Sequence, residues 1–301
     1  MTSTENPWSL YWQAGHGDSC VATASAADQA YVANIWRAWA KFLPESARVL
    51  DLATGNGAVP RALLIDQPDL RITGVDLADI APAALLQEHP ELAPVALQGG
   101  VDVCQLPFPD ASFEGVTSQF GIEYADLGTA LPEALRVLAT DGHLRCLMHH
   151  ADSAVVSPAK PIVEEIDALQ SDRGPLSVLN AMLAGRAGND ELEAAGRTYL
   201  DSSAVKTRHI SGQIFQGISQ IMQRLPQKQE DANHLASTMQ SRLDAEKQRL
   251  QQLQSAALDE QSASAAADTL VRAGARDVSI TVIKLPGDDN ALLGWQLDAL
   301  R

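Results

Sequence analysis

Basic residues are scarce in this chain: 22 Lys and Arg stand against 38 Asp and Glu, for a formal charge of −16. Such a balance repels nucleic acid phosphates and an anionic membrane surface, and the few cations are scattered rather than gathered into a patch. Long apolar runs are missing as well. None approaches the roughly 20 residues that a membrane span requires. The opening stretch MTSTENPWSLYWQAGHGDSC has no basic segment followed by an apolar one. A cytoplasmic protein without membrane or nucleic acid partners is expected. Cysteine is sparse too. Cys20, Cys104 and Cys146 are odd in number and widely spaced, which fits neither a disulfide framework nor a zinc site. Each is expected as a reduced thiol filling core space. His16 and Asp18 lack a companion set of ligands, so no metal site is assigned.

What the chain does have is enough apolar residue, 46% of 301, for one large domain or a domain with a sizeable insertion. Tyr31, Ile35, Trp39 and Phe42 recur at the spacing of one helix face, and Pro44 stops that helix. Short apolar runs then alternate with helical patterns. Strands are expected at Arg48 to Ala53, Arg71 to Val75, Pro94 to Val101, Phe113 to Ser118 and His143 to His149. Helices are expected from Val59 to about Gln67, Ile80 to about Glu88 and Leu127 to Ala139, with Thr140 to His143 as a tight turn. This rhythm means parallel crossovers with helices on both faces of a sheet.

From about Ser157 to Glu260 the strand pattern disappears. The clearest helix there, Gln227 to Ala257, carries an apolar stripe of Leu235, Met239, Leu243, Leu250 and Leu253. Packing on neighbouring helices and a partner-binding coiled coil both suit the stripe, and the second would make a homodimer. Alternation returns with a helix at Ala265 to Ala273, a strand at Val278 to Leu285, the turn residues PGDDN and a last run LLGWQLDAL. So short a connection forces the last two strands to pair antiparallel. The expected fold is α/β and doubly wound, with a seven-stranded, mostly parallel sheet whose last strand is antiparallel. A helical insertion separates strands five and six. By residue, 1–44 form an N-terminal helical lid, 45–150 the core, 151–260 a helical cap and 261–301 the final helix and strands.

The stretch VLDLATGNGAVP, Val49 to Pro60, places a glycine loop after the first strand, where open α/β sheets bind their ligands. A dinucleotide fingerprint would need a third glycine where Pro60 stands. Proline is tolerated in the first turn of a helix, so the loop is retained while its phosphate version fails. The loop LDLATGNG resembles the first motif of the class I, Rossmann-like S-adenosylmethionine-dependent methyltransferases. Ala53 departs from that pattern, standing where many members have glycine.

The resemblance runs from about Arg48 to His150 and more loosely over Ala265 to Arg301. It implies that the loop residues Ala53, Thr54, Gly55 and Gly57 approach the cofactor's amino acid end, with Asp51 engaging its ammonium. Asp76 and Leu77 in ITGVDLAD would meet the ribose. In GGVDVCQLPFPDASFEGV, Asp102 would accept from the adenine amino group and the backbone of Val103 would meet the ring. Gln119 and Phe120 would line the region of the sulfur. S-adenosyl-L-methionine is therefore the expected cofactor, and a small molecule the expected methyl acceptor, since the Asn/Asp-Pro-Pro-aromatic signature for nucleobase or glutamine nitrogens is absent at Ser118 to Gly121.

Methyl transfer needs donor and acceptor aligned in a dry site, and sometimes removal of a proton. Trp8, Tyr11 and Trp12 are expected either to close such a site or simply to pack. His149 and His150 are candidates for proton removal, and adjacent strand residues point to opposite faces, so one of the two should face the cofactor. Glu123 and Tyr124 are expected beside the acceptor. Two other readings stay open: another enzyme using the same cofactor, and an interaction or assembly protein whose cofactor site is regulatory or vestigial.

Overall fold

A computed structural model describes residues 7–13, 25–80, 82–202, 208–286 and 291–301, with 82–84 by their backbone alone. His16, Asp18 and Cys20 lie outside them, as does most of the PGDDN turn. The chain divides into two compact units, Met1–Ser157 with Ser255–Arg301, and Pro158–Gln254.

The first unit is a seven-stranded sheet in the order β3-β2-β1-β4-β5-β7-β6. Its strands are β1 (Arg48–Leu52), β2 (Arg71–Val75), β3 (Ala96–Gln98), β4 (Phe113–Gln119), β5 (Leu138–His149), β6 (Arg276–Lys284) and β7 (Leu292–Leu300). Only β7 runs against its neighbours, pairing antiparallel with both β5 and β6. Helices α1 (Pro7–Gln13), α2 (Ala26–Ala40), α3 (Ala58–Asp66), α4 (Pro82–Glu88), α5 (Leu127–Val137) and α11 (Glu260–Arg272) accompany it. β1 and β4 are almost wholly buried, as expected of strands covered on both faces. Strand order reverses between β1 and β4, so the loops after those strands flank the place where such sheets bind ligands.

Three sequence expectations need correction. The buried face of α2 is Val32, Trp36, Trp39 and Ala40, which shares only Trp39 with the expected row. The Trp36–Trp39 edge-on pair offers more apolar surface than Tyr31 and Ile35, and Phe42 lies past the helix end. Phe42 is 63% exposed and stacks on His143. Secondly, α5 stops at Val137, and Thr140 to His143 belong to a long β5 instead of a separate turn. Its register against β4 jumps between Phe113↔Leu138 and Gly115↔His143, with Asp141 at φ 62° absorbing the extra residues. Thirdly, α11 starts at Glu260, five residues early, because Asp259 caps it by accepting from the Ser262 N–H.

The second unit is helical: α6 (Ala159–Gln170), α7 (Pro175–Leu183), α8 (Asn189–Asp201), α9 (Ser211–Arg224) and most of α10 (Gln229–Ala256). Its core gathers Ile166, Leu169, Leu179, Tyr199, Ile218 and Leu243 among others. Glu165, fully buried, accepts from the backbone N–H groups of His209, Ile210 and Ser211, the last two of which are orphan donors at the start of α9. Leu243, Leu250 and Leu253 of the expected stripe are buried, and Leu235 and Met239 partly so. Among the described residues no helix is long and apolar enough to cross a membrane.

Candidate functional site

The glycine loop is bent by three left-handed residues, Ala53 (φ 52°), Gly55 (φ 50°) and Gly57 (φ 75°), the last of which begins α3. Glycine suits two of these positions; alanine at the first is strained. The loop is pinned to β2, because the Thr54 N–H donates to the Val75 carbonyl and the Gly55 N–H to Asp76 Oδ2 at 2.8 Å. The other oxygen of Asp76 accepts from the Ala78 N–H, also at 2.8 Å. Each carboxylate oxygen has two acceptor sites, so Asp76 keeps capacity for further donors after both backbone bonds are made.

A cavity of about 320 Å³ opens beside this loop. Ala53, Asp76, Leu77, Asp102, Val103 and Phe120 line it, together with Trp8, Trp12, Cys104, Gly121 and Tyr124. Residues from the loops after β1, β2, β3 and β4 thus converge on one space. Asp102 is exposed at its wall and accepts from the Cys104 N–H, a local turn that fixes the carboxyl. Asp51, Thr54 and Gln119 lie instead around a much smaller adjoining space, again with Trp12 and Ala53.

Asp51 is buried, and its β4 neighbour in register, Thr117, donates a hydroxyl to it at 2.7 Å. Burial, and secondarily the nearby Asp76, push its carboxyl from the ordinary 3.8 up to about 7, against the hydrogen bond from Thr117. Asp76 is raised as well, mainly by burial and against its backbone bonds. Two buried carboxyl groups held above their usual range, in adjoining spaces, favour a cationic guest. Gln119 accepts from the Trp36 indole N–H at 2.6 Å, which fixes its amide.

The histidine pair splits as strand geometry requires. His149 packs against Phe120 and Tyr124, with ring centroids 4.7 and 5.9 Å away, directly behind the cavity wall. His150 turns to the other face, stacks on Trp295 and accepts from the Asp152 N–H through Nδ1. Glu123, expected beside the acceptor, instead turns inward. It is buried, its Oε1 lies 2.7 Å from His149 Nδ1, and the same oxygen accepts the His149 backbone N–H at 2.8 Å. Its 3-10 turn, Ile122–Tyr124, aims the side chain under the sheet, while Tyr124 faces the cavity.

Sequence reasoning missed Gly121, Cys104 and Thr117. Thr117 was within reach of it, because parallel pairing places the residue of β4 opposite Asp51. The tight approach of Gly121 to Ala53 leaves no periodic signal.

Comparison with known proteins agrees with this geometry. Residues 50–146 match the family described as "Methyltransferase domain". The chain is 40% identical over 100 residues to a demethylmenaquinone methyltransferase of Thermus thermophilus, covering 32% of this chain and 44% of that protein. It is 37% identical over 125 residues to a ubiquinone/menaquinone biosynthesis C-methyltransferase of Xanthomonas campestris, covering 38% and 49%. A malonyl-[acyl-carrier protein] O-methyltransferase of Halorhodospira halophila is 40% identical over 99 residues, covering 32% of each chain. This chain spans less than half the length of these relatives. Residues 50–146 thus match a methyltransferase domain, and they lie within the seven-stranded, mostly parallel sheet.

Proposed function

We propose that the protein is an S-adenosylmethionine-dependent methyltransferase acting on a small molecule. The observation that carries this reading is Asp76, held by two backbone N–H groups at the wall of the cavity with acceptor capacity to spare. In this reading Asp76 takes the ribose hydroxyls and Asp102 the adenine amino group. The buried Asp51 faces the ammonium of the amino acid end, either directly or across a water. When bound, the cofactor would supply an electrophilic methyl group on a sulfonium, whose methyl–sulfur bond breaks to leave a neutral thioether as the acceptor takes the methyl.

The chain's own part is alignment and exclusion of water. Trp8, Phe120 and Tyr124 give the cavity an aromatic wall that holds planar or apolar groups without charge. Where the substrate must lose a proton, Tyr124 at the cavity wall is the side chain placed to receive it, with His149, its Nδ1 fixed by Glu123, packed behind it. Quinone-pathway and acyl-carrier relatives methylate carbon and oxygen respectively by their names, so similarity leaves the acceptor atom open.

The test is a set of melting curves with S-adenosylmethionine, S-adenosylhomocysteine and NAD. A ligand of the native state raises the midpoint. Stabilisation by the two sulfur compounds and not by NAD is expected, with Asp76→Ala losing it at ligand concentrations that saturate the parent. A shift with NAD alone, or none at all, sinks the proposal. Transfer of a labelled methyl group into the small-molecule fraction of a cell extract then identifies the acceptor.

A further inference from the structure

Trp12 stands on the glycine loop itself. A methyl group added at Gly55 would lie 2.6 Å from Trp12 Cη2, so the indole is packed on the bare backbone of that loop. The same ring, with Ala53, lines both the 320 Å³ cavity and the small space around Asp51, Thr54, Asn56 and Gln119. On the Asp51 side only about 10 Å³ remains, room for about one water.

The helix bearing this ring is tied down at three points. The Asn56 side-chain amide donates to the Trp12 carbonyl at 3.2 Å, the Asp79 N–H donates to Ser9 Oγ at 2.9 Å, and the Trp8 ring meets Tyr124 edge-on at 5.0 Å. A helix of seven residues has little stability of its own. These contacts, spread over the loops after β1, β2 and β4, are what hold it in place.

A lid closes above an occupied site and leaves space beneath. Here the space is unequal: the end of the site beside Asp76 and Asp102 is open, while the end beside Asp51 is filled by the protein's own side chain. We infer that Trp12 is a displaceable plug: its indole covers the seat on the glycine loop that the amino acid end of the cofactor must take, and binding requires α1 to swing off it. This rests on the proposed function, which makes that loop the seat of the methionine end. Entry at the adenosine end stays free, so the nucleoside docks first and the amino acid end follows when the indole leaves. A site competent for only part of the time binds more weakly by that fraction. With the open form at or below one part in ten, a common range for minor states, deleting the indole tightens binding about tenfold or more.

The experiment is calorimetric titration of the full chain with S-adenosylhomocysteine, comparing the parent with Trp12→Ala and with Ser9→Ala, which loosens α1 away from the loop. The expected result is at least about tenfold tighter binding for Trp12→Ala and a smaller gain for Ser9→Ala. Equal or weaker binding by a folded Trp12→Ala overturns the plug and leaves a lid or simple packing. Should Trp12→Ala fail to fold, the affinity of Ser9→Ala decides in the same sense. Binding by Trp12→Ala alone supports the plug in its strongest form. No binding by any folded form refutes the underlying cofactor reading, which distinguishes the two failures.

Discussion

The methyl group of Ala53 occupies the space that a Cβ on Gly121 would need. Ala53 is itself in the left-handed region at φ 52°, where a side chain is strained. Gly121→Ala is therefore expected to cost about 1–3 kcal/mol by overpacking. Ala53→Gly should be neutral or slightly stabilising, because relief at φ offsets the added freedom of the unfolded chain. The double substitution should recover most of the Gly121→Ala loss. A urea-denaturation cycle measures that coupling, and strict additivity would refute the proposed steric match.

Asp51 makes the ligand-free protein sensitive to pH. Its folded carboxyl titrates near 7, above the ordinary 3.8, so between those values the unfolded chain gives up a proton that the fold retains. Stability from this group is present below about pH 4 and falls as pH rises to 7, by roughly 4 kcal/mol at most. Asp51→Asn should flatten that slope and stabilise the protein at pH 8. Binding of an ammonium-bearing ligand near pH 6 should release a proton, seen as a binding heat that changes with the ionisation enthalpy of the buffer. The absence of that buffer dependence would remove Asp51 from contact with the ligand's charge.

The Glu123 carboxylate holds His149 through both its ring and its backbone N–H. Glu123→Ala leaves two buried donors without their acceptor and is expected to cost about 2–4 kcal/mol. Glu123→Gln keeps one acceptor oxygen and should cost less than half of that. Once an acceptor substrate is known, Glu123→Gln should also shift the pH profile of the transfer rate, which a purely structural contact would leave alone.

Glu165 plays the corresponding structural part in the helical unit. Burial would raise its carboxyl, but hydrogen bonds from Ser211, His209 and Ile210 outweigh it and hold the group below its ordinary 4.5. Its stabilisation is therefore complete above that value and is lost as pH falls through the lower folded one. Glu165→Ala should unfold residues 158–254 at lower denaturant, by about 3 kcal/mol, and abolish part of their acid sensitivity. Circular dichroism at 222 nm against urea at pH 7 and pH 4 checks both points.

The alternation of strands and helices, the antiparallel last strand, the loop after β1 and the carboxylates after β2 and β3 were legible in the sequence because backbone geometry demands them. Gly55 and Gly57 occupy left-handed positions, β1 is apolar but for Arg48 and Asp51, and a two-sided sheet allows little else. Contacts between side chains far apart in sequence were not. Nothing periodic announces that Trp12 lies on Gly55, or that Glu123 turns under the sheet to His149. Phe42 misled because helical spacing was extended past the point where the helix stops. The register jump at Asp141 was hidden because an Asp-Gly pair serves a turn and a bulge equally well.

The two ends of the helical insertion are stitched to each other: the Leu258 N–H donates to the His149 carbonyl, the Ala151 N–H to the Leu258 carbonyl, and the Trp295 indole N–H to that same carbonyl. The chain thus leaves the sheet and returns to it through one narrow doorway. Whatever is hung there can be lengthened, shortened or exchanged during evolution without disturbing the register of β5 and β7, so the unit that carries the candidate site and the segment inserted at that doorway are free to change at different rates.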